Sequence, residues 1–162
     1  MPGLSHADYA NLLRFRTALR RFDSWSRDQA QHVGLTHAQH QLLLAVKGHD
    51  QPEGPTIGEA AGYLNTRHHS MVGLVDRVER GGLVCRVRDL DDARVVRLRL
   101  TDLGEERIAQ LTQLHLVELS RLAPVLQHLV RSGPAGSTPV PLPEPPAPPM
   151  GTVASVDRVC ER

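Results

Sequence analysis

Between Thr66 and Arg80 the chain carries side chains suited to contacting a nucleic acid: Thr66, Arg67, His69, Ser70, Gly73, Arg77 and Arg80. On a helix turning about 100° per residue, Thr66, His69, Ser70, Gly73, Arg77 and Arg80 share one side. Met71, Leu74, Val75 and Val78 share the other. Ser and His can bond base edges or phosphate oxygens, and Arg can meet guanine or phosphate with two N–H groups at once. Gly73 costs a helix about 1 kcal/mol against Ala. Close approach to a nucleic-acid backbone would account for that cost, and so would the packing of another helix. His68 falls about 100° from His69, towards the core edge, so these two neighbours cannot share one metal ion.

A second constellation lies downstream. Asp92 and Arg94 stand one residue apart at the tip of an expected hairpin. A carboxylate there can orient the guanidinium, which then suits a narrow minor groove of negative potential. Arg86, Arg88, Arg97 and Arg99 flank the tip and can meet phosphates.

The elements that must position these residues follow from local signals. Ser5 can cap a long first helix to about His32, with Asp8 in its first turn and an apolar stripe through Tyr9, Leu12, Leu13, Leu19, Phe22 and Trp25. Gly34 stops it, and Thr36 caps a second helix from His37 to about Lys47. A Gly- and Pro-bearing loop follows to Pro55. Thr56 and Glu59 have the form of a capping box, which starts a short helix ending near Leu64-Asn65. Thr66 is placed to cap the next helix, about 67–80, and Gly81-Gly82 ends it. Residues 83–88 and 95–100 alternate as strands around the tip 89–94. Thr101 opens a last helical region running to Val130, with a break expected near Ser120 to Pro124. The pattern predicts a mainly α fold with a small β-wing, a winged helix-turn-helix. One helix and one loop of such a motif face a DNA duplex.

Composition narrows the function classes. At 162 residues the chain can build one domain with a real core. With five aromatic residues that core must be largely Leu, Val and Ala. Formal net charge is only +1, but residues 67–99 hold eight Arg against five acids. Lys47 is the single lysine of the chain, so Arg usage also reflects a general bias and is weak evidence alone. Two cysteines, Cys85 and Cys160, are too few for a disulfide framework. No charged and apolar leader and no apolar run of roughly 18 residues occurs. The expectation is a cytoplasmic protein with no membrane association. Eight of the twelve prolines lie between Pro134 and Pro149, so 132–162 is expected to be a disordered, Pro-rich tail. Its Pro143-x-x-Pro146 matches a polyproline ligand pattern and is read as spacer. No H-E-x-x-H, G-x-S-x-G, P-loop or dinucleotide fingerprint occurs, so no catalytic residue, cofactor or metal is assigned. His37 and His40 share a helix face with His32 nearby, and are read as exposed or satisfied histidines rather than ligands.

These pieces, in this order, resemble the MarR family of winged helix-turn-helix transcriptional regulators. The resemblance is carried by Leu35-Thr36 with Gln39 and Leu43, and by Thr56-Ile57-x-Glu59-Ala60. It continues through Arg67-His68-His69-Ser70, Leu74-Val75-Asp76-Arg77-Val78, Gly82-Leu83-Val84-x-Arg86, Asp92-x-Arg94 and Leu100-Thr101-x-x-Gly104. It runs to about Val130. Ala93 departs from the pattern where the family often has a first Arg, as does an Ala within Gly58-Glu59-Ala60-Ala61 where Leu is common.

The resemblance implies a domain 1–131 with a DNA-binding lobe at about 36–104. It also implies N- and C-terminal dimerisation helices, and a homodimer on a pseudo-palindromic double-stranded DNA operator. Thr66, Arg67, His69, Ser70, Gly73, Arg77, Arg86, Arg88, Asp92 and Arg94 are the expected DNA contacts. It further implies a repressor relieved by a small aromatic or phenolic ligand, with Phe22, Trp25 and His40 lining the pocket and Arg16 or Arg20 pairing a carboxylate. The rival readings are a thiol-responsive regulator using Cys85 and a winged-helix protein-interaction module without DNA binding.

Overall fold

A computed structural model describes residues 4–131 of the chain. The Pro-rich tail expected at 132–162 lies outside these residues. Seven elements follow one another: α1 (His6–His32), α2 (His37–Lys47), α3 (Ile57–Tyr63), α4 (His68–Arg80), β1 (Val84–Arg88), β2 (Val96–Leu100) and α5 (Asp102–Arg131). The chain divides into two compact units. One takes the residues up to Gln29 and those from Thr112 onward; the other is Ala30–Leu111.

The Ala30–Leu111 unit holds α2, α3, α4 and the hairpin. Capping decides where its helices begin. The Thr36 hydroxyl accepts the Gln39 N–H at 3.3 Å while Gln39 Oε1 accepts the Thr36 N–H at 2.8 Å. Thr56 and Glu59 repeat this arrangement at 3.2 and 2.7 Å. Glu59 is held below the ordinary carboxylate range by the Thr56 backbone N–H and then by its hydroxyl. Asn65 takes the left-handed conformation, φ 47°, that turns α3 into α4.

Thr66 does not cap α4. Its N–H closes the end of α3 on the Ala61 carbonyl at 3.0 Å, so the cap position falls to Arg67, whose side chain makes no capping bond. Behind α4 lies one core in which Leu42, Leu43, Met71, Val75, Val78, Leu98, Ile108 and Leu111 are almost completely buried. Burial of such a cluster is the dominant favourable contribution to folding. β1 and β2 pair antiparallel with Val84 opposite Leu100 and Arg88 opposite Val96. The loop before α3 joins the hairpin, because Leu98 donates its N–H to the Pro55 carbonyl at 2.8 Å. Gly54 permits that approach. It sits at φ +83°, and a Cβ there would lie 2.1 Å from the Leu98 carbonyl oxygen.

The other unit is built from the remainder of α1 and α5. Ser5 caps α1 with Asp8 reaching back to the Ser5 N–H at 2.7 Å. Ala18, Trp25, Leu122 and Val125 are buried. The break expected at Ser120–Pro124 does not occur, and α5 runs through Pro124. Proline removes one helical N–H and crowds the preceding turn. Here buried Leu122 and Val125 anchor the helix on either side of it. No helix among the described residues is long and apolar enough to cross a membrane.

Candidate nucleic-acid interface

The amphipathic wheel of α4 is realised. Met71, Leu74, Val75 and Val78 are buried, while Arg67, His69, Ser70, Arg77 and Arg80 are exposed. Thr66 is exposed just ahead of the helix, and Gly73 is half-buried. His68 differs from expectation. It is exposed, like His69, because the first turn of α4 extends beyond the core that begins at Met71. Among the described residues no second helix comes within 4 Å of a Cβ built at Gly73. A Cβ there would meet only the end of the Arg77 side chain, 3.6 Å away, an ordinary contact. The packing account of this glycine therefore finds no support in the described residues.

At the hairpin tip the pairing of Asp92 with Arg94 is bidentate. Arg94 Nε donates to Asp92 Oδ1 at 3.0 Å and Nη2 to Oδ2 at 2.9 Å, and the Arg94 backbone N–H also donates to Oδ1 at 3.0 Å. The Arg94 side chain is nevertheless 91% exposed. Its Nε edge is held while the Nη1 end stays available. Asp89 pins the turn from below. It accepts the N–H groups of Asp91 and Asp92 at 2.9 and 3.1 Å and pairs with Arg97. The Arg97 hydrogen bond, followed by those backbone N–H groups, pushes the Asp89 carboxyl down to about 2. Arg97 also donates to the Gly54 carbonyl at 3.0 Å, which ties the tip to the loop before α3.

Not every flanking arginine is available. Arg86 is turned inward, with Nη2 2.6 Å from Asp76 Oδ1, Nη1 on Glu79, and its backbone N–H on Glu79 Oε1 at 3.0 Å. It ties β1 to α4, a role the sequence did not reveal because Asp76 and Glu79 look like ordinary surface acids. Arg88 is exposed at the outer end of β1, and Cys85 is half-buried opposite Arg99.

The residues expected to line a ligand pocket fall in different units. Phe22, Trp25 and exposed Arg16 belong to the first, and buried His40 to α2 in the second. In the first unit the Trp25 and His115 rings lie 4.9 Å apart, Phe22 lies 5.8 Å from Trp25, and His115 Nε2 is 2.7 Å from the Ser26 hydroxyl. Trp25 Nε1 and Gln29 Oε1 are buried without a hydrogen-bond partner among the described residues. His115, Ser26 and Gln29 were not singled out from sequence, since they sit inside helical stripes that read as packing. Among the described residues no group of three or more His, Cys, Asp or Glu is arranged to hold a metal ion.

Residues 33–95, which contain α2, α3, α4, β1 and the hairpin tip but not β2, match the sequence profile of the MarR family. Over that segment the chain is similar to the MarR family. Solved structures agree with the fold. A MarR family protein from Bacillus stearothermophilus is 27% identical, with 78% of this chain and 90% of that one covered and a TM-score of 0.60. Wild-type apo MarR from E. coli is 21% identical, with 72% and 91% covered and a TM-score of 0.59. A MepR–DNA complex from S. aureus is 20% identical, with 67% and 78% covered and a TM-score of 0.57. No curated protein matches by sequence. The profile match and the shared fold support a DNA-binding transcriptional regulator of the winged-helix class.

Proposed function

We propose that this chain, like the MarR family it resembles, is a homodimeric repressor that binds a pseudo-palindromic operator and releases it when a small aromatic or phenolic ligand binds. The observation that carries the DNA reading is the joint exposure of the α4 polar face and of Arg94 at a pinned hairpin tip. Arg67, His69, Ser70 and Arg77 enter the major groove with Gly73 allowing close approach, and Arg94 enters the adjacent minor groove oriented by Asp92. Thr66 and Arg88 meet the backbone. Arg86 serves the interface by holding the wing on α4.

Dimerisation is supported by surface that a lone chain leaves wet. Tyr9, Leu12, Leu13 and Leu19 on α1, and Leu116, Val117 and Leu119 on α5, are each at least 42% exposed. Apolar residues this concentrated mark an interaction surface. A two-fold dimer presents two recognition helices to half-sites about one helical turn apart. Ligand control is supported by Trp25 and Gln29, whose buried donor and acceptor lack partners in an aromatic setting. Such groups fit the recognition of an aromatic ring bearing a polar substituent. The domain assignment, 1–131 with a Pro-rich tail at 132–162, belongs to this reading, as does a place of action in the cytoplasm.

The test is capture of genomic fragments by the purified protein, followed by mobility shift of the captured DNA and sedimentation of the free protein. A shift by a sedimenting dimer is expected. Retention of no fragment would remove the regulator reading, and a monomeric free protein would remove the dimer.

A further inference from the structure

The hairpin tip cannot grip DNA by net charge. Residues 88–97 hold Arg88, Arg94 and Arg97 against Asp89, Asp91 and Asp92, three positive against three negative. Arg97 is committed to Asp89, and Arg94 to Asp92 along one edge. Beyond the phosphate contact of Arg88, what such a tip adds to binding comes from short-range contacts rather than counterion release.

One residue at the tip has no role inside the protein. Leu90 is 97% exposed, the most exposed of the large apolar side chains among the described residues. It is not on a loose loop. The residue before it takes the N–H groups of Asp91 and Asp92, the Asp89 N–H bonds the Val95 carbonyl at 3.0 Å, and the Val95 N–H bonds the Asp92 carbonyl at 2.8 Å. A turn fastened on both sides holds a leucine out in water, four positions before an exposed arginine. Isolated apolar surface residues are common, but a turn this constrained cannot fold the side chain back onto the core.

Resting on the DNA reading above, we propose that Leu90 is a minor-groove contact, packing its side chain against the apolar deoxyribose walls beside the Arg94 guanidinium. Arg94 supplies the polar reading of the groove, and Leu90 supplies salt-insensitive area. Apolar side chains of this kind serve minor-groove proteins as wedges or wall contacts. Removing one such contact lowers affinity roughly tenfold, given the usual value of burying a leucine.

The experiment uses the full chain and the genomic fragment that the wild type retains. Leu90→Gln and Leu90→Met are compared with wild type by titration at low and moderate salt, and by hydroxyl-radical footprinting, which reports sugar accessibility in the minor groove. Leu90→Gln is expected to bind roughly tenfold more weakly, with unchanged salt dependence, unchanged melting and lost protection of the sugars under the wing. Leu90→Met should restore affinity and protection. Equal affinity and footprint for Leu90→Gln, or a Leu90→Met protein as weak as Leu90→Gln, would overturn the proposal. Failure of the wild type to retain any fragment would instead overturn the DNA reading on which it rests.

Discussion

Arg86 Nη2 lies 2.6 Å from Asp76 Oδ1, and the same guanidinium reaches Glu79 one turn further along α4. One arginine of β1 thus bridges two consecutive acids of α4 and ties the wing to that helix. The Arg86 side chain is only 27% exposed, so the pair is better shielded than a surface salt bridge, although Asp76 itself is half in water.

If Arg86 positions rather than touches DNA, freeing it should do harm. Replacing both acids, Asp76→Asn with Glu79→Gln, should weaken operator binding and lower stability by about 1–2 kcal/mol. A phosphate-contacting Arg86 would bind DNA more tightly once released from its acids. Urea denaturation and binding titrations on the double variant separate the two. The salt slope should stay as in wild type, whereas a freed Arg86 that gains a phosphate contact would steepen it by about one.

Arg94→Ala should leave melting unchanged, since the side chain is 91% exposed. Binding should weaken by about 1–3 kcal/mol, the usual worth of a base-reading arginine. Asp92→Asn should weaken it less, because the guanidinium persists but loses its bidentate orientation. Fluorescence anisotropy on labelled operator DNA reads both. An Arg94→Ala protein that binds as wild type would take the wing out of the mechanism.

Gly73→Ala makes opposite predictions for stability and function. The new methyl group meets only the flexible end of Arg77, so helix propensity should raise stability by about 1 kcal/mol. Operator affinity should fall, because the added Cβ stands on the side of α4 proposed to face the groove. A variant that is both more stable and equally active would show that this glycine has no part in DNA approach.

Acid should loosen the wing before the core. Asp89 is pushed down to about 2 from an ordinary 3.8, so its carboxylate stabilises the folded tip above about pH 4 and that stabilisation is lost as pH falls towards 2. Glu59 and Asp92 are shifted in the same direction. Amide exchange at Asp91 and Asp92 should therefore quicken, relative to the intrinsic rate, between pH 4 and 2, and Asp89→Asn should show faster exchange already at neutral pH. Protection that is independent of pH across this range would contradict the role given to the Asp89–Arg97 clamp.

The sequence showed much of the fold because its signals are local. Thr36, Thr56 and Gly82 each mark a helix end through a bond or torsion within a few residues, and the apolar face of α4 repeats at helical spacing. Thr66 misled because a residue closing one helix can look like the cap of the next. Pro124 misled because the burial that holds α5 together around it depends on tertiary packing. The site was half legible. Asp92 and Arg94 are close in sequence, so their pairing could be foreseen. Arg86 with Asp76 and Glu79, and Arg97 with Gly54, join residues from different elements and became visible only once those elements were packed.

The most direct test of a dimeric DNA reader is the salt dependence and stoichiometry of its complex with a captured genomic fragment. Two chains per operator are expected, with an affinity that falls steeply as salt rises and a slope reduced by Arg67→Ala and Arg77→Ala. A complex of one chain per site, or an affinity indifferent to salt, would contradict it.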